Sequence, residues 1–374
     1  MQFVNYRSFS ATHTVFTENI IQLLKEIPEK ERVLTMSIFG SVKDGEYLSN
    51  LELINRALLQ VFGKLPLLGY IAQSPENENT LIAEVCYLSE EISLSAVSYH
   101  EVQAGRYLTI ETDEFSALLI DGMISKSIRK SIGEQSLDVF NNIQQILFKE
   151  SMPVGNIVRQ WNYIGHITAV ENGKQNYQEF NNERARFYNQ TTWKNGFPAA
   201  TGISMDIDAI MVSLMAVKFH NQTSVLPLNN SMQLPAHNYS QSVLGISEEK
   251  ETPKFERAKL MVNGKSACCF ISGTAAILGE KSINDDCAKV QASQTISLIR
   301  HLISVENRKE NGIDFSGELK LVHLRVYVKN TADFKNVRQV VESELPGVNA
   351  FYVCAPVCRD ELLVEIEGIA ITES

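Results

Sequence analysis

The chain has 374 residues, with 34 Lys and Arg against 44 Asp and Glu, so its net charge is −10. That length suggests about two domains at roughly 100–200 residues each, and 44% hydrophobic with 21% charged residues marks a folded globular chain, not a disordered one. The acidic surplus argues against nucleic-acid binding, which rests on clustered Lys and Arg, but leaves room for a basic pocket taking an anionic small molecule. The first residues, Met1 to Arg7, lack the basic start and apolar run of a signal peptide. No segment approaches the ~18–20 apolar residues of a membrane helix. Six cysteines are too few for a disulfide scaffold, and neither they nor the seven histidines have metal-ligand spacing. The expectation is a cytoplasmic protein with reduced thiols, no metal and no membrane partner.

Residues 1–95 offer a helix around Leu51 to Gly63 and several short strands. Strands from Tyr107 to Ile120 follow. Leu137, Phe140, Ile143, Ile146 and Leu147 then recur at helical spacing, predicting a buried helix face over 136–148. After a break at Met152-Pro153-Val154-Gly155, residues 156–164 are β-branched and aromatic and read as a strand. A second helix is expected over 175–189, and a last strand over 210–217. A Pro-, Asn- and Ser-rich stretch over 226–253 reads as a connector.

The same order then recurs: strands over 259–278, a helix over 288–304, a strand over 319–329, a helix over 332–345 and a final strand over 362–370. Two copies of one unit in register predict an α+β fold, each copy a mixed sheet with helices on one face. The expected boundaries are residues 1–225 with an extra N-terminal segment, a connector over 226–254, and a second domain over 255–374.

Alternation along the last strand puts Leu363, Glu365, Glu367 and Ile369 on one face, with Val364 and Ile366 on the other. Two carboxyl groups on an apolar strand resist joint ionisation, and burial favours the neutral acid, the state general-acid catalysis needs. The bland alternative is a solvated edge pairing with lysines. The matching residues of the first copy are taken as Ser213 and Met215. Tyr177, Asn181, Arg184 and Tyr188, spaced by 4, 3 and 4, share one helix face that could receive a carboxylate or merely be solvated. Arg325 sits on a valine-rich strand with His323 and Tyr327 and needs an acid or an anionic ligand. Gly273 interrupts a strand, as at a bulge or where a ligand approaches the backbone. Cys358 could face the same site, although a lone cysteine is more often a small core residue. Phosphate-loop, dinucleotide and nucleophile-elbow motifs are absent.

The segments Ile271-Ser-Gly-Thr-Ala-Ala276, 291–303, Arg325-Val-Tyr-Val-Lys-Asn330 and Leu363-Val-Glu-Ile-Glu-Gly-Ile-Ala370 resemble the RidA/YjgF superfamily. Over about residues 155–370 the chain resembles a chorismatase. The motifs are Arg159-Gln-Trp-Asn-Tyr-Ile164, Tyr177-x-x-Phe-Asn-x-x-Arg184, Pro198-Ala-Ala-Thr-Gly-Ile203, Pro227-Leu-Asn-Asn with Gln233 and Tyr239, Phe255-x-Arg257-Ala258, Ser272-Gly-Thr274 and Cys358-Arg359. The resemblance implies two RidA-like halves and cofactor-independent cleavage of the enolpyruvyl ether of chorismate. Glu365 would be the catalytic proton donor, with Arg184, Arg257 and Arg325 holding the two substrate carboxylates and Tyr177 and Tyr239 donating hydrogen bonds. Gly273 and Cys358, where the hydrolytic type tends to carry alanine, point to 3-hydroxybenzoate as product. Hydrolysis to a dihydroxycyclohexadiene carboxylate, a RidA-like enamine or imine deaminase and a non-catalytic binder of aromatic carboxylates stay as alternatives. No arginine lies near Ala350, where ordinary RidA proteins bind a carboxylate, which counts against the deaminase. The superfamily habitually trimerises, but an internal duplication can replace subunit contacts, so homotrimer and monomer both remain open. A role in secondary metabolism is the expectation that goes with a 3-hydroxybenzoate product.

Overall fold

The computed structural model describes residues 3–372 except 104, 127–129, 172, 241–250 and 284–285, so part of the expected connector lies outside the described residues. Residues 4–88 form a sheet of order β1-β4-β2-β3, from Val4–Thr12 (β1), Val33–Gly40 (β2), Leu67–Ala72 (β3) and Thr80–Leu88 (β4). Helices Phe16–Glu26 (α1) and Tyr47–Phe62 (α2) lie in the connections. The second sheet has the order β11-β8-β12-β7-β6-β5, built from Val97–Val102 (β5), Gly105–Glu111 (β6), Phe115–Ile124 (β7), Ile157–Gly165 (β8), Ala199–Met205 (β11) and Ile210–Phe219 (β12). Helices Ile132–Lys149 (α3) and Asn176–Tyr188 (α4) cover it, and the two-residue strands Val170–Glu171 (β9) and Lys174–Gln175 (β10) form a small ribbon before α4.

The third sheet repeats that order as β13-β14-β15-β20-β18-β19. Its strands are Ser224–Leu228 (β13), Ala258–Asn263 (β14), Ser266–Ala275 (β15), Lys320–Val328 (β18), Asn349–Cys354 (β19) and Val364–Ile371 (β20). A ribbon of Ile277–Leu278 (β16) with Lys281–Ser282 (β17) follows β15, and helices Ala288–Ile303 (α5), Val305–Glu310 (α6) and Phe334–Glu344 (α7) complete the unit. The expected α+β class is what the chain adopts. Beyond the two similar segments read from the sequence, residues 4–88 form a third version of the unit that lacks the two outer strands.

Local chemistry explains most elements. Ser131 caps α3 in a capping box with Glu134, so the helix starts earlier than its apolar pattern suggested. Val139, not Leu137, completes the buried face of α3, and Leu137 is exposed, a correction to the expected stripe. The β-branched Val364, Ile366 and Ile371 suit β20 to a sheet. Val364 and Ile366 pack beneath α5 and α7 with Ile296, Ile299, Phe334 and Val337, while Ile369 faces the opposite way. Leu363 precedes the strand and packs on the helix side, not with Glu365 as alternation had placed it. The strand β19 went unread in the sequence, because Asn349-Ala-Phe-Tyr-Val-Cys354 is short and mixed.

The helix-free faces of the three sheets meet in a common interior. One cluster joins Phe39 and Ile71, Trp161 and Tyr163, and Tyr327 and Phe351, two residues from each sheet. The joints are cyclic: β3 adjoins β7, β11 adjoins β15, and β19 adjoins β1. Among the described residues, no helix is long and apolar enough to cross a membrane.

The joint of β3 with β7 is closed by backbone contact. Gly122 has φ +69°, and a Cβ there would overlap the Leu68 carbonyl and lie 2.7 Å from the Gly69 Cα. Gly122→Ala should therefore lower stability by more than about 1 kcal/mol, measured as the midpoint of denaturant unfolding; an unchanged midpoint would contradict this packing.

Candidate active site

The joint of β11 with β15 opens into a pocket. One wall is α4 and β11, with Tyr177, Asn181, Arg184, Thr201 and Gly202; the other is β15, β20 and the loop before it, with Gly273, Ala275, Cys358, Arg359 and Glu365. Tyr239, Phe255 and Arg257 close one side. The space measures about 870 Å³ with its open mouth included.

A bulge shapes the floor. Pairing of β15 with β20 shifts between Ile271 and Thr274, so Ser272 and Gly273 together stand opposite Glu367. The Ser272 hydroxyl accepts from Ala200 N–H (2.9 Å) and donates to the Glu256 carbonyl (2.6 Å), while Gly273 N–H donates to Thr201 Oγ1 (3.0 Å). These bonds stitch the second sheet to the third. A Cβ at Gly273 would overlap Glu365 Oε1 and lie 2.9 Å from its Cδ, so the position of that carboxyl requires glycine.

Glu365 and Glu367 share a face of β20, and their surroundings differ sharply. The Glu367 carboxylate receives Arg159 Nη2 (2.5 Å), Trp161 Nε1 (2.9 Å), Tyr327 OH (3.3 Å) and the Thr201 hydroxyl, with Arg325 Nη1 at 3.3 Å. Glu365 has no ion-pair partner among the described residues, and its carboxyl lines the pocket. Burial and, next, the Glu367 charge push its pKa up to about 8 against the pull of Arg159 and Arg257. The expected solvated edge is absent, because Glu365 and Glu367 are only 6% and 2% exposed.

Around this acid are buried arginines without carboxylate partners among the described residues. Arg184 donates to Asn181 Oδ1 (2.6 Å), and Arg257 donates to Tyr239 OH (2.7 Å) and the Leu234 carbonyl (2.7 Å), leaving its buried Nε unpaired. Half-buried Arg359 donates to the Glu280 carbonyl and the Ser282 hydroxyl, and its guanidinium lies over the Tyr239 ring. Buried unpaired cations are costly unless an anion completes them. Burial raises the Cys358 thiol to about 12, with the Glu365 charge second, and it also raises the Tyr177 phenol, so both face the pocket protonated.

Of the residues singled out in the sequence, Tyr177, Arg184, Tyr239, Arg257, Gly273, Cys358 and Glu365 converge on this pocket. Arg325 does not. Its Nε and Nη2 grip Glu84, its Nη1 donates to Tyr163 OH (2.6 Å), and it points into the common interior, so it is corrected from a pocket cation to a buried structural one. Tyr188 also leaves the stripe, donating to Gln160 Oε1 (2.8 Å) in the core. Register corrects the matching positions: Glu365 opposite Tyr327 corresponds to Met211 opposite Tyr163, and Glu367 opposite Arg325 to Ser213 opposite Trp161. Arg359 and Thr201 were missed as site residues, since nothing local marks a loop arginine or a strand threonine as lining a pocket.

Residues 95–216 match the family model described as chorismatase FkbO/Hyg5-like, N-terminal. A Streptomyces hygroscopicus protein called 3-hydroxybenzoate synthase is 30% identical over 230 residues, 59% of this chain and 65% of the relative. A second from that organism, called chorismatase, is 28% identical over 235 residues, 62% of this chain and 65% of the relative. The matched stretch thus spans just under two thirds of each relative's length. The crystal structure of a chorismatase superposes with a TM-score of 0.73 at 20% identity over 99% of both chains, so the two share a fold. Residues 95–216 thus resemble the N-terminal part of chorismatases, and the chain as a whole shares the fold of one.

Because the folded state keeps a proton on Glu365 up to about pH 8 that the unfolded chain releases near its ordinary 4.5, stability falls as pH rises through that window. Glu365→Gln removes the penalty. Its unfolding free energy, measured by denaturant titration, should exceed that of the unsubstituted protein by a margin that widens between pH 5 and pH 8 by on the order of 3 kcal/mol; a margin constant with pH would show that Glu365 ionises normally.

Proposed function

We propose that this protein cleaves the enolpyruvyl ether of chorismate to give pyruvate and 3-hydroxybenzoate, with Glu365 as the general acid. The observation that carries the reading is a buried carboxyl, its pKa raised by burial, facing a pocket whose arginines have no carboxylate partner among the described residues. A dianionic substrate supplies what Arg184 and Arg257 lack. Arg guanidinium forks match carboxylates bidentately, and the Tyr177 and Tyr239 hydroxyls are available as further hydrogen-bonding groups.

In this reading Glu365 gives its proton to the terminal methylene of the enolpyruvyl group, and the resulting oxocarbenium ion weakens the ether bond. The two products together contain the atoms of chorismate, so no water is consumed, and the proton lost as the ring becomes aromatic balances the one Glu365 gave. Hydrolysis to the dihydroxycyclohexadiene carboxylate would add one water. Gly273 leaves space for the Glu365 carboxyl, and the neutral Cys358 thiol fills the wall without competing as a thiolate. The relative called 3-hydroxybenzoate synthase supports this product over the diol.

Incubation with chorismate should release pyruvate in a lactate dehydrogenase-coupled assay, and Glu365→Gln should lose at least about 10²-fold in kcat. Release no faster than the spontaneous decay of chorismate would refute the reading, and ammonia from amino-acid-derived imines would favour the deaminase. The rate should fall as pH rises through about 8, as the proton leaves Glu365. Gly273→Ala should displace the carboxyl and move the product toward the diol; chromatography showing unchanged product and rate would remove Gly273 from the account.

A further inference from the structure

The first sheet contributes no residue to the pocket, yet it reaches the acid pair from behind. Glu84 on β4 stands opposite Ser37, the register position that Glu367 occupies opposite Arg325 in the third sheet. The two carboxylates therefore project from equivalent places of two sheets into the same interior, with Arg325 between them. Glu84 is 4% exposed and accepts His323 Nε2 (2.7 Å) and Arg325 Nε (2.7 Å) on Oε1, and Arg325 Nη2 on Oε2. Only Nη1 of Arg325 is left for Tyr163 OH and for Glu367 at 3.3 Å.

We propose that Glu84 is a positioning residue for the reaction: by engaging two of the three nitrogens of Arg325, it keeps that cation turned from the pocket and only loosely paired with Glu367. The inference rests on the reading of Glu365 as the proton donor. Glu367 then has Arg159 as its closest cation, with Arg325 further off, and its charge is felt by Glu365. Without the Glu84 charge, the full guanidinium fork of Arg325 is free for Glu367, the field that holds the proton on Glu365 weakens, and the donor ionises at lower pH.

Other charged or titratable groups face this cluster and are unchanged by the substitution. From the second sheet these are Asp121, hydrogen-bonded to Ser213 (2.6 Å) and Ser37, with Arg159 and Tyr163. From the third they are His323, Tyr327 and Arg257, and from the first sheet Tyr6. On the pocket side Tyr177 and Cys358 lie within the field of Glu365.

The test is the pH profile of pyruvate release by the full chain carrying Glu84→Gln, which keeps the shape and removes the charge. The high-pH limb of kcat/KM should move down by about one pH unit, and Glu84→Gln with Arg325→Gln should return it to or above its original place. A loss of rate with the limb unmoved would mean that Glu84 is merely structural. Titration of the Glu365 carboxyl by ¹³C NMR, assigned with Glu365→Gln, reads the same shift without turnover. A shifted carboxyl in a protein that releases no pyruvate would sink the proposed reaction and keep the coupling, and an unshifted one would overturn the coupling whether or not pyruvate appears. Should Glu84→Gln fail to fold, Glu84→Asp, which withdraws the charge by one methylene, should move both readouts the same way by less; no movement would overturn the proposal.

Discussion

Two carboxyl groups two residues apart on one strand are treated oppositely, and the rest of the site follows from that inequality. Glu367 is caged by Arg159, Trp161, Thr201 and Tyr327, and Glu365 next to it has no ion-pair partner among the described residues. A buried carboxylate is tolerable only when its charge is met by close, well-oriented donors. Once those donors are committed to Glu367, the second acid pays for burial by keeping its proton. The same strand thus holds an ion-paired carboxyl and an acid whose pKa burial raises, separated by a single Ile366 that belongs to the helix-side core.

The cage depends on three sheets meeting face to face. Arg159 and Trp161 come from β8 and Glu367 from β20, while Glu84 of β4 restrains Arg325 on β18. Each unit contributes a comparable closing strand, but the three joints differ. Where β3 meets β7, Gly122 lets the backbones touch and Met211 takes the place of Glu365. Where β19 meets β1, Ile82 opposite Phe39 takes that place. Only at β11 and β15 does an acid stand at this register with a bulge that opens space beside it.

Much of this was legible in the sequence. Period-two alternation put Glu365 and Glu367 on one face, and helical spacing brought Tyr177, Asn181 and Arg184 to the same wall. Gly273 announced the bulge by interrupting an apolar strand. What failed had a common cause, because it depended on partners from another sheet. Arg325 looked like a ligand-binding cation because its acid, Glu84, lies 241 residues earlier in the chain. Residues 1–95 read as an appendage because their unit lacks the outer strands that made the other two copies recognisable. The two-residue error in matching the first copy to the second is visible only in the strand register, which pairs Met211 with Tyr163 and Glu365 with Tyr327.

The central claim is that Glu365 is a neutral carboxylic acid at neutral pH. Infrared difference spectroscopy of the unsubstituted protein against Glu365→Gln, in the absence of substrate at pH 7, tests it directly. The account predicts a protonated carboxyl stretch that disappears in the variant. Loss of a carboxylate band in its place would contradict it.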